Sequence, residues 1–181
     1  MEFRQKKVLM TVKEIDKALK NLAAQITEKE DLEKIALIGV RCRGVPLAER
    51  LAKELEKLGA KNLSLGILDI TLYRDDLSLV ASQPIVKETK LPFGIDDKVL
   101  ILVDDVLFTG RTVRSALDAL IDFGRPQGVR LAVLIDRGNR ELPIQADYIG
   151  RKFSTNLKEM IKVELKEVDG KDEVSLWESK R

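Results

Sequence analysis

The stretch VLILVDDVLFTGRTV, residues 99–113, decides the fold because it joins a buried strand to a helix through a short polar loop. Five apolar residues at its start predict a strand covered on both faces, and the adjacent Asp104 and Asp105 mark its end. Thr-Gly-Arg-Thr follows at 109–112, and helical spacing begins at Val113. Because adjacent carboxylates repel each other, we expect a cation or a hydroxyl-rich ligand opposite them.

Strand-like and helix-like segments alternate along the rest of the chain. Apolar runs predict further buried strands at 35–40, from Leu63 onward and at 129–135, and helical spacing predicts helices at 12–29, 46–58 and 113–121. This alternation predicts an α/β fold with a mainly parallel central sheet flanked by helices. Two strand-like runs near Ile161 and Val174 add a small C-terminal β region.

The composition excludes several classes of function. The chain has 181 residues, 44% hydrophobic and 34% charged, and we expect one globular domain, 1–181. It has no histidine, which excludes a Ser-His-Asp enzyme and a histidine-ligated zinc site, so any metal would be a hard cation such as Mg²⁺ on oxygen ligands. The single cysteine, Cys42, indicates a reducing compartment, and no apolar run approaches ~20 residues. We therefore expect a cytoplasmic chain without a membrane span.

Polar segments follow the carboxyl ends of four predicted strands, at 41–44, 73–76, 104–112 and 136–141. In an open α/β sheet, ligands bind at this edge. The sequence therefore predicts one ligand site built from several loops.

The residues around the acidic pair indicate a phosphorylated sugar. Gly110 lets the backbone approach a ligand, and the helix that follows offers unpaired N–H groups to a phosphate at 109–112. Asp104 and Asp105 would accept hydrogen bonds from sugar hydroxyls and help hold Mg²⁺. The alternatives are an ordinary helix cap and a charge pair that faces water.

Arginines in two other loops are candidates for binding a diphosphate. Arg41, Arg43 and Gly44 could grip its oxygens, although a basic surface turn is the alternative. Cys42 is interpreted as a small half-buried thiol. Arg74 could be delivered by a closing loop, or could simply pair with the aspartates that follow it.

Basic residues elsewhere could bind RNA phosphates, or could form an ordinary solvated face. Aromatic residues make up only 4% of the chain, so we expect no stacking platform for bases. The candidates are Lys13, Lys17, Lys20, Arg140 and Arg151.

The segment Leu100–Thr112 resembles the thirteen-residue signature for phosphoribosyl diphosphate (PRPP) in the type I phosphoribosyltransferase family. The segments 69–78, 110–126 and 131–150 resemble a branch of that family whose members attenuate pyrimidine operons and have uracil phosphoribosyltransferase activity. The resemblance covers most of the chain.

This resemblance implies a type I phosphoribosyltransferase fold and a role for each matching position. The acidic pair would bind the ribose and contribute to catalysis with Arg74, which would lie on a flexible loop at about 71–93. The hood, a small β region at about 137–181, would complete the site. The resemblance implies that the diphosphate is contacted by Arg41, Cys42, Arg43 and Gly44, in a loop where the family has a non-proline cis peptide. It implies that PRPP and its 5′-phosphate are contacted by Val106, Leu107, Phe108, Thr109, Gly110, Arg111 and Thr112. It implies that the base is contacted by Asp136 and Arg137.

The implied reaction converts uracil and PRPP into UMP and diphosphate by displacement at the anomeric carbon, with Mg²⁺ and no covalent nucleophile. The implied regulatory partner is pyrimidine-operon leader mRNA, whose binding UMP or UTP would promote. The implied assembly is a homodimer or a tetramer.

Four departures from the family pattern fall on positions that the family uses for RNA: the exposed face of the first helix, which reads LKNLAAQ at 19–25, and Asn139, Gln145 and the segment 151–159. They leave open a salvage phosphoribosyltransferase that no longer binds RNA, and a non-catalytic RNA-binding nucleotide sensor. A receiver-like signalling domain fits poorly, because its acidic pair would follow the first strand.

Overall fold

Eight strands, four helices and one short 3₁₀ turn make up the part of the chain that the computed structural model describes, residues 3–73 and 88–179. The strands are β1 (Phe3–Met10), β2 (Ile35–Val40), β3 (Ser64–Leu68), β4 (Val99–Leu107), β5 (Gly128–Asp136), β6 (Tyr148–Lys152), β7 (Glu159–Glu164) and β8 (Glu173–Ser179). The helices are α1 (Val12–Lys29), α2 (Gly44–Lys57), α3 (Arg111–Ile121) and α4 (Lys166–Asp169), and the 3₁₀ turn is Thr71–Tyr73.

The central sheet has five parallel strands in the order β3-β2-β4-β5-β6. This confirms the predicted α/β fold. The predicted helix at 12–29 is also confirmed as α1, and a capping box between Thr11 and Glu14 marks its start. Helix α2 begins at Gly44, two residues before the predicted start at Pro46.

Both faces of the central sheet are covered, as the continuous apolar strands predict. Leu37 and Ile101 are buried on one face with the apolar sides of α1 and α2. Ile38 and Leu102, the next residue on each strand, are buried on the other face with α3. The side chains alternate across the sheet because successive residues of a strand point to opposite faces.

A second, antiparallel sheet has three strands in the order β1-β8-β7, of which β7 and β8 fall within the range predicted for the hood. Strands β7 and β8 were predicted, but β1 was not, because most of its residues are exposed and give no apolar run. Strand β6 lies within the predicted hood range, yet it pairs with β5 of the central sheet.

Strand β4 continues four residues beyond its predicted end and includes both aspartates. Pairing with β2 stops at Val103, whereas pairing with β5 continues through Asp104 to Leu107. In place of β2, the loop after β2 approaches β4 so closely that a Cβ on Gly44 would lie 2.3 Å from the carbonyl oxygen of Val103. The acidic pair therefore lies where β4 is paired on one side only.

Arg74 and most of the predicted flexible loop lie outside the described residues. Within 3–73 and 88–179, none of the helices combines the length and the apolar character needed to span a membrane.

Candidate active site

A cavity of about 330 Å³ opens at the carboxyl edge of the central sheet, between the loops that follow β2, β3 and β4. It brings together predicted residues from distant parts of the sequence and adds three that the sequence reading missed. The predicted ones are Arg41, Cys42, Arg43, Asp104, Asp105, Val106 and Thr112, and the additional ones are Asp69, Ile70 and Thr71.

The acidic pair is strongly desolvated. Asp104 is only 7% exposed, and the Oδ1 atoms of Asp104 and Asp105 accept the backbone N–H of the next residue at 2.9 and 2.8 Å. Burial raises the pKa of Asp104 well above its usual range, and the nearby charge of Asp105 raises it further. Burial also raises the pKa of Asp105, while the guanidinium of Arg43 opposes that rise. The pair would consequently gain from a cation or hydroxyl donors in the cavity.

The oxygen atoms that line this cavity suit a hard cation that takes its remaining ligands from water or from a substrate. Oxygen atoms of Asp104 and Asp105 are available at its wall. Among the residues that the structure describes, no group of three or more acidic, cysteine or histidine side chains is placed to hold a metal ion. Mg²⁺ is commonly held by one or two carboxylates, with water and substrate phosphate oxygens completing its octahedron.

The loop 41–44 has the geometry that the resemblance implies, with a cis peptide bond between Arg41 and Cys42. One terminal nitrogen of Arg41 donates to the carbonyl of Glu88 at 3.2 Å, and its Nε is buried with no hydrogen-bond partner in the described part of the chain. Arg43 forms two hydrogen bonds with Asp169. Cys42 is exposed, so the expectation of a half-buried thiol is wrong.

The loop 109–112 forms the start of α3. Gly110 caps the helix with φ +95°, a left-handed conformation that glycine adopts without a Cβ clash. The carbonyl of Thr109 accepts the backbone N–H groups of Glu141 and Leu142, each at 3.0 Å. Arg111 pairs with Glu141 at 2.7 Å. The first turn of α3 is thus held against the segment that follows β5, with its N-terminal end at the sheet edge.

The expected base-side residues lie beside this loop, because Asp136 on β5 is in register with Leu107 on β4. Leu107 is buried, so only its backbone can contribute to a site. The guanidinium of Arg137 lies 3.9 Å from the ring centroid of Phe108 and donates to the carbonyl of Glu159 at 2.7 Å. Arg137 is only 5% exposed and connects β7 to Phe108, the residue before the loop 109–112.

The structure separates Arg140 from the other basic residues that were predicted to bind RNA. Its guanidinium donates to the carbonyls of Phe108 at 2.9 Å and Ile144 at 3.0 Å, and to Asp136 Oδ1 at 2.6 Å. Its side chain is 22% exposed. Arg140 therefore ties Phe108, which precedes the loop 109–112, to Asp136 and to the segment after β5.

The other basic candidates share one surface. Lys13, Lys17 and Lys20 are exposed on α1. Arg151 on β6 donates to Glu14 of α1 at 3.2 Å, and it lines the same groove of about 510 Å³ as Lys17. The structure thus brings together four of the five residues predicted for RNA.

Asn139, which departs from the family pattern, ties the loop after β5 to the hood. Its side chain donates to the carbonyl of Thr155 at 2.8 Å, and its backbone has φ +57°. Asparagine tolerates this left-handed conformation better than most residues. No local pattern in the sequence signals this contact.

Comparisons with known proteins agree with this geometry. A model of the phosphoribosyl transferase domain matches residues 10–167. The bifunctional protein PyrR of Deinococcus deserti is 55% identical over 174 residues, which cover 96% of this chain and 95% of that protein. The PyrR of Thermus aquaticus is 51% identical over 176 residues, or 97% of each chain.

Solved structures show the same fold at low sequence identity. A hypoxanthine phosphoribosyltransferase from Staphylococcus aureus has a TM-score of 0.70 at 21% identity, with 94% of this chain and 92% of that chain covered. One from Trypanosoma cruzi has a TM-score of 0.73 at 18% identity, with 97% and 92% covered. These likenesses concern the fold alone.

We expect Asp104→Asn to stabilise the ligand-free protein. At low pH the Asp104 carboxyl is protonated in both the folded and the unfolded state. At higher pH it ionises more readily in the unfolded state, because burial raises its pKa in the folded state, and this difference favours unfolding. Asparagine cannot ionise and removes that cost. The gain in Tm should therefore be small near pH 4 and grow toward pH 8. About 1 kcal/mol corresponds to roughly 2–4 °C in a chain of this size. Thermal unfolding at several pH values measures it.

Asp118→Asn is the matched control for that measurement, because Asp118 is a half-exposed carboxylate on α3 that pairs with Arg114. It should leave Tm almost unchanged at each pH. A fall in Tm for Asp104→Asn across the pH range would contradict the expectation.

We expect Arg140→Gln to lower the free energy of unfolding by about 2 kcal/mol or more, because Asp136 and the carbonyl of Phe108 lose their charged donor. Urea unfolding measures the change. Arg114→Gln, which removes a half-exposed pair on α3, should cost less than about 1 kcal/mol. Equal losses for the two variants would show that Arg140 does not hold the two segments together.

Proposed function

The chain belongs to the PyrR proteins of the phosphoribosyl transferase family, and on this premise we propose that it transfers the phosphoribosyl group of PRPP to uracil and regulates pyrimidine transcripts. The observation that carries the proposal is the combination, on β4 and α3, of a buried acidic pair with a helix N-terminus a few residues later. The products would be UMP and diphosphate.

The acidic pair and the phosphate loop would position the two ends of the ribose. Asp104 and Asp105 would accept hydrogen bonds from the ribose hydroxyls, while the N–H groups at the start of α3 and the hydroxyl groups of Thr109 and Thr112 would bind the 5′-phosphate. As positive charge develops at the anomeric carbon, the nearby carboxylates would stabilise it.

The leaving diphosphate would be bound by the loop 41–44. Arg41 and Arg43 line the cavity, and their positively charged guanidinium groups can donate N–H hydrogen bonds to diphosphate oxygens. Asp104 and Asp105 would hold Mg²⁺ together with substrate oxygens, and the bound ion would neutralise charge that builds up on the leaving group. Arg74 is proposed to act on the same group from the loop outside the described residues.

Uracil would enter beside Asp136 and Arg137. A cavity of about 300 Å³ lies between these residues and the segment 152–154. Arg137 is already held by Phe108 and the hood, so this pocket would be shaped before the base arrives. Such preorganisation lowers the entropy that binding costs.

For the regulatory role, we propose that the RNA contacts lie on the exposed face of α1 and on β6. Lys13, Lys17, Lys20 and Arg151 would contact phosphates of a leader stem-loop. UMP or UTP in the active site would promote this binding. A homodimer or tetramer is part of the proposal.

One observation favours a salvage enzyme without regulation as the second candidate. Arg140 and Asn139 both direct their polar groups to partners inside the chain, to Asp136 and Thr155 among others. Gln145 is exposed but uncharged. The segment after β5 therefore offers an RNA less charge than its sequence suggests.

We expect radiolabelled uracil, PRPP and Mg²⁺ to give labelled UMP with the wild-type chain. Asp104→Asn and Asp105→Asn should lower kcat/KM at least 100-fold, since each removes charge stabilisation at the reacting centre. Asp118→Asn is the control and should keep wild-type activity. Absence of UMP in the wild-type reaction would rule out both enzymatic candidates and leave the nucleotide sensor.

We expect Lys17→Gln to weaken binding of a pyrimidine leader stem-loop and to reduce the slope of log K against log salt by about 1, as one phosphate contact is lost. Lys61→Gln makes the same change of charge just before β3, at the amino end of the sheet, and should leave the affinity unchanged. Filter binding with and without UMP measures both. If the wild type binds the leader no better than an unrelated hairpin at the same salt, the regulatory half of the proposal fails.

A further inference from the structure

The segment Leu165–Asp172, which includes α4, is tied to the diphosphate loop and to α2 by two arginines. Arg43 in the loop donates from Nε and Nη2 to the two carboxylate oxygens of Asp169, at 3.0 and 2.7 Å. Arg50 on α2 pairs with Glu167 at 2.6 Å and with Asp172 at 2.7 Å. Neither the family motif nor the proposed mechanism assigns these three acids a role.

The carboxylate of Asp169 is itself fixed. Its Oδ2 atom also accepts the backbone N–H of Leu165 at 2.9 Å, and Leu165 is fully buried. The Asp169 side chain is 16% exposed, so the pair is shielded from solvent more than an ordinary surface ion pair. The hydrogen bonds from Arg43 lower the pKa of Asp169, which keeps it charged at neutral pH.

The two-pronged contact determines how Arg43 faces the cavity. It uses two of the five N–H groups that a guanidinium carries, and it leaves the remaining ones available to another acceptor. Arg43 also lines the cavity of the acidic pair. A flexible arginine loses rotamer freedom when it binds a ligand, whereas one already held in place loses little.

We propose that Asp169 is a positioning residue for the diphosphate: it holds Arg43 across the carboxyl edge of the sheet, so that the C-terminal segment completes the diphosphate subsite. This inference rests on the proposed function. It differs from that proposal in assigning a role to a residue that touches no substrate.

The test measures two ligands with the full chain. Inorganic diphosphate with Mg²⁺ should bind Asp169→Asn about tenfold more weakly than the wild type, and KM for PRPP should rise in parallel, since Arg43 is no longer held. The affinity for UMP, which has no diphosphate, should stay within about twofold. Asp169→Glu keeps the charge and should restore most of the diphosphate affinity.

Glu167→Gln is the matched control, because Arg50 keeps its contact with Asp172 in that variant. It should leave the affinities for both ligands unchanged. If Asp169→Asn does not fold, Asp169→Ser replaces it, because its hydroxyl can still accept the N–H of Leu165.

Unchanged diphosphate affinity in the Asp169 variant, or an equal loss for diphosphate and UMP, would overturn the inference, because a general structural defect would affect both ligands. A wild-type chain that forms no UMP and binds no diphosphate would instead overturn the proposed function, and this inference with it. Formation of UMP by the wild type separates the two cases.

Discussion

Two desolvated carboxylates on neighbouring residues, the buried Asp104 and the partly buried Asp105, are the constraint on which the site depends. They lie where β4 has lost β2 as a neighbour but still pairs with β5. This one-sided pairing leaves room for the cavity, while burial of the Asp104 side chain in the fold raises its pKa. A fold selected for stability alone would avoid such a pair, since buried like charges destabilise the protein. Their presence is understandable if a substrate or a cation supplies the missing positive charge and hydroxyl donors.

The arginines around this edge are held in place before any ligand arrives. Arg43 is fixed by Asp169, Arg137 by the ring of Phe108, and Arg140 by Asp136 and the phosphate loop. In solution each of these side chains would sample many rotamers. Their fixed orientation means that transition-state stabilisation need not include the cost of ordering them. Desolvation at the acidic pair is thereby combined with positively charged side chains that are already held in place, an arrangement common to catalytic sites.

The parts of the fold and site that the sequence predicted are those with local signals. The strand–acid–loop–helix order of 99–113 is contained in one stretch, so periodicity and spacing were enough to predict it. The strand β1 was missed because its side chains are mostly exposed and its order comes from pairing with β8, at the other end of the chain. Asp169 was missed for the same reason, since its partner is 126 residues away and no spacing rule links them. The inward direction of Arg140 is likewise a tertiary property, which a run of charged letters cannot show.

The residues proposed for catalysis and those proposed for RNA binding differ in how tightly they are packed, so the two functions can change independently. The arginines at 137 and 140, in the segment that follows β5, both contact Phe108, beside the loop 109–112, so a change there would alter the proposed active site first. The exposed lysines of α1 have no such contact and can change at little cost to stability. A chain of this fold can therefore lose or gain an RNA surface on α1 and β6 while its reaction centre stays intact. Because Arg151 on β6 donates to Glu14 of α1, the two elements that would carry such a surface are in direct contact.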